Sequence, residues 1–107
     1  MAQGSMKRSS EETFEEDIAS GVSLVDFYAD WCGPCRMLVP VLEKLARDFA
    51  GKMTVVKLDI DEANDVAKKF DISSVPTLIL FRDGKEFKRV IGLRDADFLQ
   101  DFINSAL

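Results

Sequence analysis

Apolar and polar positions along the chain fall into short runs whose period changes repeatedly. From Ser9-Ser10-Glu11-Glu12, which has the serine-to-glutamate spacing of a capping box, a short helix is expected through about Ala19, with Phe14 and Ile18 as its buried stripe. Gly21 stops it. Val22 to Tyr28 is apolar on both faces, the signature of a central parallel strand. A long helix then runs to about Ala50, and Cys35, Leu38, Leu42, Leu45, Ala46 and Phe49 share one face at helical spacing.

Further on, Thr54 to Asp59 reads as a second buried strand, Asp61 to Phe70 holds a short helix, and Thr77 to Arg82 forms a third strand. Asp83-Gly84 predicts a tight hairpin into Phe87 to Ile91. Gly92 breaks the chain. Asp95 caps a last helix expected to turn Phe98, Leu99, Phe102, Ile103 and Ala106 inward. Alternating strands and helices closed by a hairpin predict an α/β fold, a mixed sheet with helices on both faces.

At 107 residues the chain fits one domain, expected over residues 6–107. Residues 1–5, Met1-Ala2-Gln3-Gly4-Ser5 before a second methionine, look like an expression scar or a disordered N-terminus. Fourteen basic against nineteen acidic residues give a net charge of −5, with no basic stripe, so nucleic-acid binding is disfavoured. No apolar run reaches the ~20 residues of a membrane span, and Met1 to Ser10 lacks the apolar stretch of a secretory signal. A cytoplasmic protein without membrane association is expected. Nothing in the chain resembles a self-complementary patch, so a monomer is expected.

The chain has two cysteines, in Trp31-Cys32-Gly33-Pro34-Cys35, placed after a buried strand and at the start of a helix. A loop of two intervening residues gains little from closure, so stability is a poor reason for the pair. Pro34 favours a first-turn position, which puts Cys32 at or just before the helix N-terminus. There, free N–H groups and the helix dipole stabilise a thiolate, the species that attacks disulfides. Cys35, three residues on, lies within disulfide reach. Cys32 is therefore expected to attack a substrate disulfide, and Cys35 to resolve the mixed disulfide that results. Zinc binding is the rival reading, but with no histidine and no third cysteine the chain is short of tetrahedral ligands. No metal and no bound cofactor are expected.

Asp26 interrupts an apolar strand six residues before Cys32. Burial there would raise its pKa and suit it to exchange protons with Cys35, directly or through water. A carboxylate reaching solvent from the strand end is the plainer alternative, and the position favours the functional one. Lys57, in the apolar strand Thr54 to Ile60, is either its counter-charge or a surface lysine with a buried stem. Val75-Pro76-Thr77 introduces a strand. Trp31 is either exposed for partner contact or, as tryptophans more often are, part of a core.

Phe27-Tyr28-Ala29-Asp30-Trp31-Cys32-Gly33-Pro34-Cys35 resembles the active-site segment of the WCGPC-type thioredoxin family. Leu24-Val25-Asp26-Phe27, Lys57-Leu58-Asp59, Val75-Pro76-Thr77-Leu78, Phe81, Asp83-Gly84 and Gly92 stand where that family has comparable residues, and the likeness runs from about Phe14 to Leu107. The resemblance implies the thioredoxin fold, a central mixed five-stranded sheet flanked by four helices. It implies a cis peptide before Pro76, against the cysteine pair, and an apolar docking surface of Trp31, Val75, Pro76 and Gly92. It implies that Asp26 and Lys57 are the family's buried acid and its lysine partner, with Gly33 and Pro34 tuning the thiol. It also implies protein-disulfide reductase activity, with disulfide-containing proteins as substrates and electrons from NADPH through a thioredoxin reductase. One segment and two single residues depart from the pattern. Met6-Lys7-Arg8-Ser9 is polar and short where the first strand belongs, so that strand is expected to be frayed or missing. Tyr28 stands where tryptophan is also common, and Asp71 where glycine is frequent.

Overall fold

A computed structural model describes residues 6–107, and the expected scar or disordered segment at 1–5 lies outside the described residues. In chain order the elements are β1 (Lys7–Arg8), α1 (Phe14–Asp17), β2 (Val22–Tyr28), α2 (Gly33–Asp48), β3 (Thr54–Asp59), α3 (Asn64–Lys69), β4 (Thr77–Arg82), β5 (Lys85–Ile91) and α4 (Ala96–Asn104). The strands form one five-stranded sheet in the order β1-β3-β2-β4-β5. β3 runs parallel to both β1 and β2, whereas β4 is antiparallel to β2 and to β5. The mixed sheet and its four helices agree with the sequence reading.

Alternation along the central strands feeds two cores. Leu24 of β2 and Leu78 and Leu80 of β4 pack on one face with Leu42 and Leu45 of α2 and Leu99 and Ile103 of α4. Val25 and Phe27, with Ile79 and Phe81, pack on the other against Phe14 and Ile18 around α1 and Ala63 before α3. Phe14, Phe70 and Phe81 meet edge to face at centroid distances of 5.3–5.8 Å, an arrangement favoured by the ring quadrupoles. The hairpin turn at Asp83-Gly84 has φ of +49° and +84°, as a two-residue primed turn requires.

Several expectations are corrected. The first strand is formed, although only two residues long: Lys7 and Arg8 register against Val56 and Lys57, and Ser9 N–H extends the pairing to Lys57 O at 2.9 Å. The capping box is not made. Ser9 Oγ donates to Asp17 Oδ2 at 2.7 Å, and Thr13 rather than Ser9 precedes α1, which ends at Asp17 instead of Ala19. Asp59 Oδ1 accepts from Asp61 N–H, a turn that delays α3 until Asn64. Phe98 is 46% exposed on the outer side of α4, while Leu99, Ile103 and Ala106 face inward as expected.

Candidate active site

β2 ends at Tyr28, and a turn closed by Cys32 N–H to Ala29 O at 3.1 Å delivers the chain to α2. Cys32 is the N-cap of α2, with extended backbone angles (φ −91°, ψ 111°), and Gly33 and Pro34 form the first turn. Proline belongs there because its missing N–H is one the helix would not use. Cys32 Sγ accepts the Cys35 N–H at 3.1 Å, so the sulfur occupies the place of a capping oxygen and faces the positive end of the helix. The two cysteines are joined as a disulfide, with their Cα atoms 5.3 Å apart, inside the usual range for such a bridge.

Both sulfur residues are buried, yet their neighbours at the surface are not. Trp31 is 68% exposed, and its indole Nε1 donates to Asp61 Oδ2 at 2.9 Å. That bond holds the ring at the surface, and its exposure rules out the core alternative for Trp31. Val75 packs against the cluster of Tyr28, Ala29, Cys32 and Cys35, and its carbonyl oxygen lies 3.7 Å from Cys32 Sγ. The Val75–Pro76 peptide is cis. Gly92 N–H donates to Pro76 O at 2.8 Å and Gly92 adopts φ of +96°, a conformation that glycine takes without strain. Trp31 thus precedes Cys32 in the chain, Val75 reaches its sulfur, and Gly92 is tied to Pro76, the residue after Val75.

Behind the disulfide, Asp26 is fully buried at the centre of β2, registered against Lys57 of β3 and Leu78 of β4. Neither carboxyl oxygen has a hydrogen-bond partner. Burial, which strips water from the charged form, pushes the Asp26 carboxyl up to about 7, while the positive charge of Lys57 pulls in the opposite direction. A cavity of about 100 Å³ is lined by Asp26, Cys35, Val39 and Lys57, so the orphaned acid and the inner cysteine share one small space. Lys57 is half-buried, and its Nζ lies 4.5 Å from the centroid of the Tyr28 ring.

Two residues that shape the site escaped the sequence reading as site residues. Asp61 is thirty positions from the indole it holds, and only the β2–β3 pairing brings the two strand ends together. Arg36 Nη1 donates to Asp30 O at 2.6 Å and ties the first turn of α2 to the preceding loop. Among the described residues, no group of three or more His, Cys, Asp or Glu side chains is placed to hold a metal ion.

A mixed sheet that ends in a Cys-Gly-Pro-Cys turn, with a disulfide at the following helix start, defines a thiol–disulfide oxidoreductase. The thioredoxin family profile matches residues 5–105. A thioredoxin of Chlamydia pneumoniae is 54% identical over 95 residues, covering 89% of this chain and 92% of the relative. One of Staphylococcus saprophyticus is 47% identical over 97 residues, covering 91% and 93%. In structure, a mutant thioredoxin from Halobacterium salinarum superposes with a TM-score of 0.89 at 39% identity, covering 99% of this chain and 94% of that one. The chain belongs to the thioredoxin family. Its fold is the thioredoxin fold and its activity is protein-disulfide reduction by thiol–disulfide exchange at Cys32 and Cys35. Members of this family need no bound cofactor for that chemistry.

Proposed function

We propose that Cys32 is the attacking thiol and Cys35 the resolving one, with Asp26 as the proton acceptor that Cys35 needs. The observation that carries this division is the two-sided setting of the pair. Cys32 stands beside the exposed Trp31 and the Val75 carbonyl, at the helix N-cap, whereas Cys35 lines the small cavity that Asp26 shares. In the reduced protein the Cys32 thiolate, stabilised by the Cys35 N–H and the helix dipole, attacks one sulfur of a substrate disulfide. A Cys32–substrate disulfide forms and the first substrate thiolate leaves. Cys35 then passes its proton to the Asp26 carboxylate across the cavity, which has room for water. The Cys35 thiolate attacks Cys32 Sγ, the mixed disulfide breaks, and the second substrate sulfur departs as a thiolate while the Cys32–Cys35 bridge re-forms.

Gly33 and Pro34 set the turn that aims the sulfur at the helix end. Lys57 moderates the Asp26 carboxyl through its charge. Trp31, Val75, Pro76 and Gly92 form the docking rim, where an extended substrate segment meets apolar side chains and the backbone around Val75. Electrons come from NADPH through a thioredoxin reductase, so the chain is a mobile electron carrier to disulfide-containing proteins. We place it in the cytoplasm, as a monomer with one domain over residues 6–107. A net charge of −5, and the absence among the described residues of any helix long and apolar enough to cross a membrane, support that setting.

The test is NADPH oxidation with a bacterial thioredoxin reductase and a disulfide-bonded protein substrate. Turnover is expected to depend on the chain and to vanish in Cys32→Ser. Cys35→Ser is expected to accumulate a covalent substrate adduct visible on a non-reducing gel. An adduct formed by Cys32→Ser instead would reverse the two roles.

A further inference from the structure

We propose that Tyr28 is a positioning residue: its ring holds the Lys57 ammonium away from Asp26 and so leaves that carboxyl unpaired beside Cys35. The inference deepens the reading of Asp26 given above and rests on it for its catalytic meaning. Asp26 and Tyr28 are two residues apart on β2, hence on the same face of the sheet, and Lys57 is the register partner of Asp26 on the neighbouring strand. A lysine next to a buried carboxylate on an adjacent strand is in the ordinary position to form an ion pair. Here it does not. Both Asp26 oxygens are without a partner, and the Lys57 nitrogen lies over the Tyr28 ring, 4.5 Å from its centroid. That is within the range at which an aromatic face attracts a cation, and the attraction grows where water is excluded. Tyr28 is only 6% exposed, so its ring is a fixed platform, not a mobile side chain.

The other charged groups around the carboxyl do not explain its isolation. The same cavity is lined by Asp30 and Arg36, but Arg36 is committed to the Asp30 carbonyl. On β4 the neighbour of Asp26 is Leu78, which carries no charge. Arg8, Asp59 and Glu62 act on Tyr28. Lys57 is thus the cation whose placement decides whether Asp26 is paired, and the Tyr28 ring is what it rests on.

The experiment follows the Asp26 carboxyl directly, by carbon-detected NMR titration of the oxidised protein, in the native chain and in Tyr28→Leu, Tyr28→Trp, Lys57→Met and Tyr28→Leu/Lys57→Met. Freed from the ring, Lys57 is expected to pair with Asp26 in Tyr28→Leu and lower its titration midpoint by about one pH unit or more, the effect of an opposite charge brought within bonding range. Tyr28→Trp keeps an aromatic face and is expected to keep the native midpoint. With Lys57→Met in the background, the Tyr28→Leu effect is expected to disappear. An unchanged midpoint in Tyr28→Leu overturns the proposal. So does a fall that persists in the Lys57→Met background, since water entering the emptied site would then be its cause. Tyr28→Met repeats the decisive arm with a side chain of similar length if the leucine variant does not fold. The acidic limb of the kcat/KM profile for protein-disulfide reduction is measured alongside. A midpoint that moves while that limb stays fixed would sustain the positioning role and remove Asp26 from the mechanism.

Discussion

Asp26 makes the sharpest case at the scale of a single residue, because its environment sets both its chemistry and a cost in stability. Its folded carboxyl titrates near 7, raised by burial, against an ordinary value of 3.8. The folded state therefore holds the proton over a window in which the unfolded chain has released it. Stability from this group is fully present below the ordinary value, falls as pH rises through the window, and is lost above about 7. Asp26→Asn cannot ionise, so chemical denaturation should show its stability gaining on the native protein by on the order of 4 kcal/mol between about pH 4 and pH 8. A difference that stays flat across that window would mean that the carboxyl is hydrated after all. The position was legible in the sequence, since an acid inside Val22–Tyr28 conflicts with every neighbour. Its lack of any bonding partner was not legible, for that depends on where Lys57 and Tyr28 point. The exposure of Trp31 was equally out of reach, being set by Asp61 on another segment.

At the scale of elements, helix ends show where local sequence suffices and where it does not. Asp95 was read as a cap, and its carboxylate accepts the Phe98 N–H at 2.9 Å at the start of α4. Asp95→Ala should cost about 1 kcal/mol in equilibrium unfolding, with disulfide-reductase activity per folded molecule unchanged. An unaltered denaturation midpoint would show that the cap is not needed. The Ser9–Glu12 pattern has the same local credentials and fails, because Asp17 at the end of α1 takes the serine hydroxyl. Ser9 bonds Asp17, which Lys7 of β1 also reaches at 2.9 Å. Glu11 spans to α3, where its two oxygens accept from Asp65 and Val66 N–H at 3.1 Å each. A capping motif read from spacing assumes that no better partner exists elsewhere in the fold, and α1, with four residues, is too short to enforce it.

For the whole molecule, the order β1-β3-β2-β4-β5 puts β2 at the centre, and the cysteine pair leaves directly from its end. The reactive turn thus stands on the most buried strand, held by α2 packed across the larger core. Leu42, fully buried on the inner face of α2, couples the two. Leu42→Ala should destabilise the protein by about 2–5 kcal/mol in urea unfolding, the usual range for such a cavity. A loss well under 1 kcal/mol would place the weight of this core elsewhere. Strand alternation, the hairpin at Asp83-Gly84 and the apolar face of α2 made the architecture readable. The first strand was not, because Lys7 and Arg8 carry no apolar signal and are recruited only by the exposed edge of β3. Phe98 was misplaced for a related reason, since helical spacing brings it close to the buried stripe without saying how wide that stripe is.

The sheet has two open borders, and each is blunt. On one side β1 offers only two residues, both charged. On the other, β5 carries Lys85, Lys88 and Arg89 and slips register against β4 between Leu80 and Phe81. A growing fibril needs a long, flat, uncharged rim on which to lay the next strand. Neither β1 nor β5 supplies one, so these two strands are poor templates for cross-β polymerisation, even when the molecule is crowded among its own copies.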